Sequence, residues 1–247
     1  MLEKVAGVVI RTQDYQETNK IITIFSSKLG KFSALARGAN KPKSRMSALS
    51  QPFIQGDYLV YVNKGLSTIQ QGEVIHSFRK IREDIVKTAY ASYVTELTNK
   101  LLDDKTPDVF IYEQFLQTLQ WIETSDSFHI PILMYELKLY EKAGFAPVVH
   151  ACVNCQQSSD HYSFSIKEGG LLCLTCVSLD EHATPLTETL AKLLYVFQNV
   201  GLERIGNISV SEENMKLYRR LFDQYYDTYG HYQLKTRRFI KQLDAFE

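Results

Sequence analysis

Four cysteines in two matching pairs, Cys152-Val153-Asn154-Cys155 and Cys173-Leu174-Thr175-Cys176, are the only cysteines in this 247-residue chain. Their spacing is C-x2-C-x17-C-x2-C. Each C-x2-C turn offers two thiolates to one ion, and tetrahedral Zn²⁺ takes four. The spacing therefore predicts a zinc ribbon, a small element that pins two stretches of chain to one metal. Two other uses of cysteine compete with it. The opening Met1-Leu2-Glu3-Lys4-Val5 runs straight into strand-like sequence without the apolar stretch of a secretory signal. That reads as a reducing compartment, where structural disulfides are disfavoured. A thioredoxin-like redox pair sits singly between a strand and a helix, so two pairs are one too many. The zinc reads as structural, because four thiolates close the shell and leave no position for a catalytic water. His150 and His161 lie nearby and read as surface residues rather than substitute ligands.

The length allows one large domain or two smaller ones. No apolar run is long enough to span a bilayer. The longest stretch, 130–140, is interrupted by Pro131, Glu136 and Lys138, and the chain reads as soluble and cytoplasmic with no membrane partner. Formal net charge is zero, but its distribution is uneven. Residues 1–80 carry +7, residues 81–148 carry −5 and residues 149–247 carry −2. A basic first third beside an acidic remainder suggests one face for an anionic polymer and another for something else.

Segments 5–11, 20–26, 31–36, 55–63 and 67–78 are rich in Val, Ile, Tyr, Phe and Thr and read as strands. Turn chemistry separates them, as at Leu29-Gly30-Lys31, Arg37-Gly38-Ala39 and Asn63-Lys64-Gly65. Alternation puts Tyr58, Val60 and Val62 on one face. Five short strands in so few residues predict a closed barrel of the OB-fold kind, with an SH3-like barrel as the rival. From Ile81 the period becomes helical, with Ile85, Ala89, Tyr93, Leu97 and Leu101 at i+4 spacing. Further helices are expected over 108–122, 127–143, 187–200, 211–229 and 235–246, the one over 127–143 stopping at Gly144 before Pro147. The cysteine segment, about 150–180, contains two short strands, 163–166 and 171–172, around Gly169-Gly170. The expected organisation is an α+β chain: an OB-fold domain over 1–80, then a helical domain over 81–247 with the ribbon inserted in it.

Five cations, Lys31, Arg37, Lys41, Lys43 and Arg45, fall within fifteen residues with no acid among them. Gly38 and Pro42 keep this stretch irregular, so the cations can fan around a flexible polyanion. Ser33, Ser44 and Ser47 add hydroxyls that can donate to phosphate. Such a composition suits a groove that tracks a single-stranded backbone, with affinity that falls steeply as salt rises. A solvated loop is the plainer alternative. Tyr15, Phe32, Phe53, Tyr58 and Tyr61 are candidate stacking faces for bases, most of them expected in the core. No phosphate-binding loop, nucleophile elbow or zinc-protease helix is present in the sequence. The adjacent pairs Asp103-Asp104 and Glu212-Glu213 suit capping rather than two-carboxylate chemistry, because neighbours do not share a helix face.

An OB-like barrel with a basic segment, a helical body and a four-cysteine ribbon within it resembles the bacterial RecO family of recombination mediators. The resemblance covers the whole chain. It is strongest at Gly7-Val8-Val9-Ile10-Arg11, at Asp14-Tyr15-Gln16-Glu17-Thr18-Asn19-Lys20, and at Tyr140-Glu141-Lys142-Ala143-Gly144-Phe145-Ala146-Pro147 leading into Cys152. The family hallmark G-x-F-s-x-x-A-R-G-a stands here as Gly30-Lys31-Phe32-Ser33-Ala34-Leu35-Ala36-Arg37-Gly38-Ala39. The resemblance implies binding of single- and double-stranded DNA, annealing of complementary strands, and work with RecR. It also implies help for RecA in displacing the single-strand-binding protein SSB, in the RecF pathway. It implies no hydrolase activity and a place at the bacterial nucleoid. By position, Lys31, Arg37, Lys41, Lys43 and Arg45 match the family's basic barrel segment, and Arg11 and Lys20 fall in matching N-terminal positions. Cys152, Cys155, Cys173 and Cys176 match a zinc site that some members lack in part. A pocket for the SSB tail is known in the helical domain of some members, and no motif here places it. A zinc-ribbon adaptor of the transcription or replication machinery is the competing reading; a nuclease would need clustered carboxylates for Mg²⁺.

Overall fold

In the computed structural model, which describes residues 1–206 and 208–243, the alternating segments become five strands. They are β1 (Leu2–Tyr15), β2 (Asn19–Ser26), β3 (Gly30–Ala36), β4 (Gln55–Tyr61) and β5 (Ser67–His76). The strands close in the order β1-β2-β3-β5-β4, with β4 pairing back to β1 and β5 running parallel to β3. This is the expected five-stranded OB-fold barrel. Side chains of period two fill it: Val5 and Val9 from β1, Ile22 and Ile24 from β2, Phe32 and Ala34 from β3, Tyr58 and Val60 from β4.

Residues 37–51 are more ordered than their composition suggests. Successive turns are closed by Lys41 N–H to Gly38 O (3.1 Å), Ser44 N–H to Lys41 O (3.2 Å) and Ser47 N–H to Ser44 O (3.1 Å). A short helix, α1 (Arg45–Leu49), follows, capped by the Ser44 hydroxyl accepting from Met46 N–H. Leu49 is buried in the barrel core, and the Tyr58 hydroxyl donates to its carbonyl at 3.1 Å. The segment expected to fan loosely is therefore held along its length.

The remaining helices are α2 (Arg79–Glu83), α3 (Ile85–Leu101), α4 (Val109–Thr124), α5 (His129–Lys142), α6 (Glu188–Asn199), α7 (Glu212–Tyr229) and α8 (Lys235–Leu243). The helical stretch expected from residue 81 is split at Asp84, whose extended backbone starts α3 and whose carboxylate accepts from Val86 and Lys87 N–H. Residues 244–246 of the expected last helix lie outside the described residues.

The chain forms two compact units, Met1–Phe128 with the described part of Leu234–Glu247, and His129–Gln233. The division does not fall where strands give way to helices. In the first unit Phe25, on the outer face of β2, meets Tyr112 and Phe115 of α4 edge-on at 5.4 and 5.5 Å.

In the second unit every residue of α5 from Pro131 to Tyr140 is buried. Glu136 and Lys138, which interrupt the apolar run in sequence, are each only 2 % exposed. Glu136 meets Arg219 at 3.4 Å, and the Lys138 ammonium donates to the carbonyls of Phe197 (2.9 Å) and Met134 (3.4 Å). On α7 the stripe Tyr218, Leu221, Phe222, Tyr225 and Tyr226 turns inward, and Phe164 from the ribbon packs on Phe222 and Tyr225. The ribbon sheet has three strands, β6 (Tyr162–Ser165), β7 (Gly170–Cys173) and β8 (Thr184–Leu186), in the order β7-β6-β8. Two were expected; β8 is three residues long and contains Pro185, which leaves too little alternation to read. No helix among the described residues is long and apolar enough to cross a membrane.

Candidate nucleic-acid interface and candidate metal centre

The pairing register decides which cations share a surface. Arg11 lies opposite Thr23, and Thr23 opposite Ser33; Gln13 lies opposite Ile21, and Ile21 opposite Leu35; Tyr15 lies opposite Asn19. On β2 and β3 these positions have the parity opposite to the core residues, and on β1 a bulge between Val9 and Arg11 shifts the register so that Arg11, Gln13 and Tyr15 face the same way; together they form the outer face of β1, β2 and β3. Arg37 continues the same parity beyond Leu35. Arg11, Tyr15 and Arg37 are all exposed on this face.

Beside it runs a groove of about 380 Å³ lined by Thr12, Lys20, Lys41, Lys43, Ser47 and Ser50, among others. The basic turns are fastened to the β1–β2 hairpin. Asn40 N–H donates to Thr18 O (2.9 Å), Gly38 N–H to Asn19 Oδ1 (2.9 Å) and Asn40 Nδ2 to Asp14 Oδ1 (3.1 Å). Lys41 and Lys43 thus project from a fixed platform, and both are exposed.

Three of the seven candidate cations are engaged by other groups or line a different surface. Lys31 is 8 % exposed. Its ammonium donates to Asn99 O at 2.6 Å and pairs with Asp104 at 3.1 Å, while its own carbonyl accepts from Lys105 N–H at 2.7 Å. It is an internal strut, because the outer face of the barrel is covered by helix at that point; Phe25, its cross-strand neighbour, is buried under α4. Lys20 pairs with Asp14 at 3.0 Å, and hydrogen bonds from Lys20 and Asn40 hold the Asp14 carboxyl below the usual carboxylate range. Arg45 is exposed but lines a different hollow, of about 530 Å³, with Lys4, Asp57 and Glu73. Among the described residues, Arg11, Arg37, Lys41 and Lys43 remain as the candidate cations that present outward on or beside this face without a carboxylate partner.

The hydroxyls and aromatics sort in the same way. Ser44 is spent on its helix cap and Ser33 faces Thr23 at 3.4 Å, leaving Ser47 in the groove. Phe32, Phe53 and Tyr58 are buried, whereas Tyr15 and Tyr61 are 40 % and 49 % exposed. A surface of fixed cations with an exposed ring can hold a phosphate backbone and stack a base without reading sequence.

In the second unit the two cysteine turns converge. Cys152 and Cys155 precede β6; Cys173 ends β7 and Cys176 follows it. Their four sulfurs lie within 4.8 Å of one another, and none forms a disulfide. The Cys155 and Cys173 sulfurs are 3.8 Å apart, which matches the edge of about 3.8 Å for a tetrahedron with Zn–S bonds of about 2.3 Å. Burial would push the Cys152 thiol up, but backbone N–H groups of Cys155, Cys173 and Asn154 point at the sulfur and bring it down to about 6. Cys173 is lowered as well, whereas Cys155 and Cys176 are raised, so the crowded sulfurs resist carrying four charges together and a cation is what would hold all four as thiolates. Leu172, Val153, Tyr162 and Ala183 wall the site with apolar surface, and Ser165 locks Asp180 behind it at 2.5 Å. The donor set fits a closed four-sulfur metal site. Among the described residues no other group of His, Cys, Asp and Glu side chains converges in this way.

Comparison with known proteins adds the lineage. The family model "Recombination protein O N terminal" matches residues 1–78, and "Recombination protein O C terminal" matches residues 82–238. The chain belongs to the RecO family. Among RecO proteins it is 57 % identical over 246 residues to the "DNA repair protein RecO" of Oceanobacillus iheyensis, an alignment covering all of this chain and 95 % of that one. It is 44 % identical over 247 residues to the proteins of the same name from Bacillus cereus and Bacillus anthracis, with both partners covered in full.

Proposed function

We propose that this chain is a DNA-repair and recombination mediator that grips DNA by its phosphates and performs no bond chemistry of its own. One observation carries the reading: Arg11, Arg37, Lys41 and Lys43 stand exposed on and beside a single outer face of an OB barrel, Arg11 on β1 and the other three on turns fastened to the β1–β2 hairpin. The barrel, residues 1–80, is the DNA-binding part, and it takes single and double strands because phosphate contacts carry no base information. Annealing follows from the same charge. Two polyanions repel, a cationic face screens that repulsion, and a salt-sensitive hold lets the strands shift until they pair. Membership of the family supports a role with RecR in helping RecA onto SSB-coated DNA at the nucleoid. The helical half, residues 81–247, meets the protein partners, and a structural Zn²⁺ on the four cysteines steadies it.

The test is annealing of complementary oligonucleotides without any nucleotide, together with gel shifts at two salt concentrations. The wild-type chain should bind and anneal, more weakly at high salt, and the variant with Ala at Arg11, Arg37, Lys41 and Lys43 should lose most of both. A variant that binds as tightly as wild type removes the barrel from the mechanism. A wild-type chain that binds no oligonucleotide at either salt leaves the zinc-ribbon adaptor as the better reading.

A further inference from the structure

We propose that the exposed face of α8 is a second surface for single-stranded DNA, one that rests on the mediator reading above and supplies what annealing requires, a hold on two strands at once. The helix reads Lys235-Thr236-Arg237-Arg238-Phe239-Ile240-Lys241-Gln242-Leu243, four cations and no acid in nine residues. Helical spacing divides it. Thr236, Ile240 and Leu243, at i, i+4 and i+7, turn toward the protein, with Ile240 6 % exposed. Lys235, Arg238, Phe239, Lys241 and Gln242 are exposed on the other side.

Glu96 of α3 is the acid at the junction, and its two oxygens are taken by the Lys235 and Thr236 N–H groups (3.2 and 2.9 Å) and the Thr236 hydroxyl (2.6 Å). Glu96 thus caps α8 and fixes its orientation instead of pairing with Lys235 or Arg238. The two acids that follow in sequence, Asp244 and Glu247, lie outside the described residues.

The aromatic selects the polyanion. Phe239 leaves 40 % of its surface in water directly beside Arg238. An exposed ring flanked by cations suits a single strand, because each base presents a π-face to stack while each phosphate meets a Lys or Arg.

The experiment uses the full-length chain. Phe239→Trp introduces an indole at the proposed stacking position, and Trp121, the single native tryptophan, gives a constant background. Single-stranded oligo-dT should quench the introduced indole. Lys235→Ala with Arg238→Ala should lower the slope of log affinity against log salt by about 1.4, two phosphate contacts at ~0.7 each, and should slow annealing. The variant with Ala at Arg37, Lys41 and Lys43 is run beside it. If that barrel variant loses binding while the α8 variant keeps the wild-type slope and annealing rate, the α8 proposal fails and the barrel reading stands. If neither variant changes, both fail. Quenching by polyglutamate but not by oligo-dT would also overturn the proposal, assigning the face to an acidic protein segment.

Discussion

Lys31 and the loop cations carry the same formal charge, and the structure separates them sharply enough for a controlled experiment. Replace Arg37, Lys41 and Lys43 by Ala in one variant and Lys31 by Met in another. Among the described residues the three loop cations face outward without carboxylate partners, so each counts as one phosphate contact. Their loss should reduce the slope of log affinity against log salt by about 2, so the wild-type advantage over this variant shrinks about twentyfold between roughly 50 and 200 mM salt. Lys31→Met keeps the apolar stem and removes only the ammonium. That ammonium donates to Asn99 O at 2.6 Å, and Asp104, its other partner, is 73 % exposed and simply rehydrates. The expected result is a stability loss of about 1–2 kcal/mol from the orphaned carbonyl with the salt slope at its wild-type value. Fluorescence anisotropy of a labelled oligonucleotide over a salt series reads the first quantity, and urea unfolding reads the second. A Lys31→Met slope that falls as far per charge as the loop variant's, or a loop variant with an unchanged slope, refutes the assignment of which cations reach DNA.

Three further outcomes follow from other parts of the molecule. Metal analysis should find about one Zn²⁺ per chain, and stripping it with a strong chelator should lower the thermal midpoint of the helical half; a metal-free sample that melts unchanged removes the stapling role. Burial pulls the Lys138 ammonium down to about 8 from 10.5, against the opposing pull of Glu203 and Glu141. The unfolded chain therefore holds this proton between those values and the folded one does not, so the group's contribution to stability rises with pH across that window, by about 3 kcal/mol. Lys138→Met should abolish that rise, and a variant whose stability still climbs like wild type from pH 8 to 10 would remove Lys138 as its source. Gly30 has φ +65°, and an added Cβ would sit 2.4 Å from the Thr106 carbonyl oxygen. Gly30→Ala should cost about 2 kcal/mol or more in urea unfolding, and a loss below a few tenths would mean the backbone there yields freely.

The signals that read correctly in the sequence are local ones. A strand's alternation, a helix's i+4 apolar repeat and a C-x2-C turn are each properties of a few consecutive residues. They gave five barrel strands, the helices after them and a ribbon between paired cysteines. Where local reading fell short, a distant segment intervened. The split at Asp84 follows from a capping carboxylate, and β8 exists because β6 offers it an edge to pair with.

Function shows the same boundary. The chain's own order of residues determined that cations crowd the barrel and that four thiolates can close on one ion. Only tertiary packing decided that Lys31 is a strut, that Arg45 looks into another hollow, and that Glu136 and Lys138 are buried. It also decided that a basic terminal helix folds back onto the unit that contains the barrel. The physical reason is that a side chain's charge is fixed by its chemistry, whereas its partner and its access to water are fixed by whatever the fold brings against it from tens of residues away.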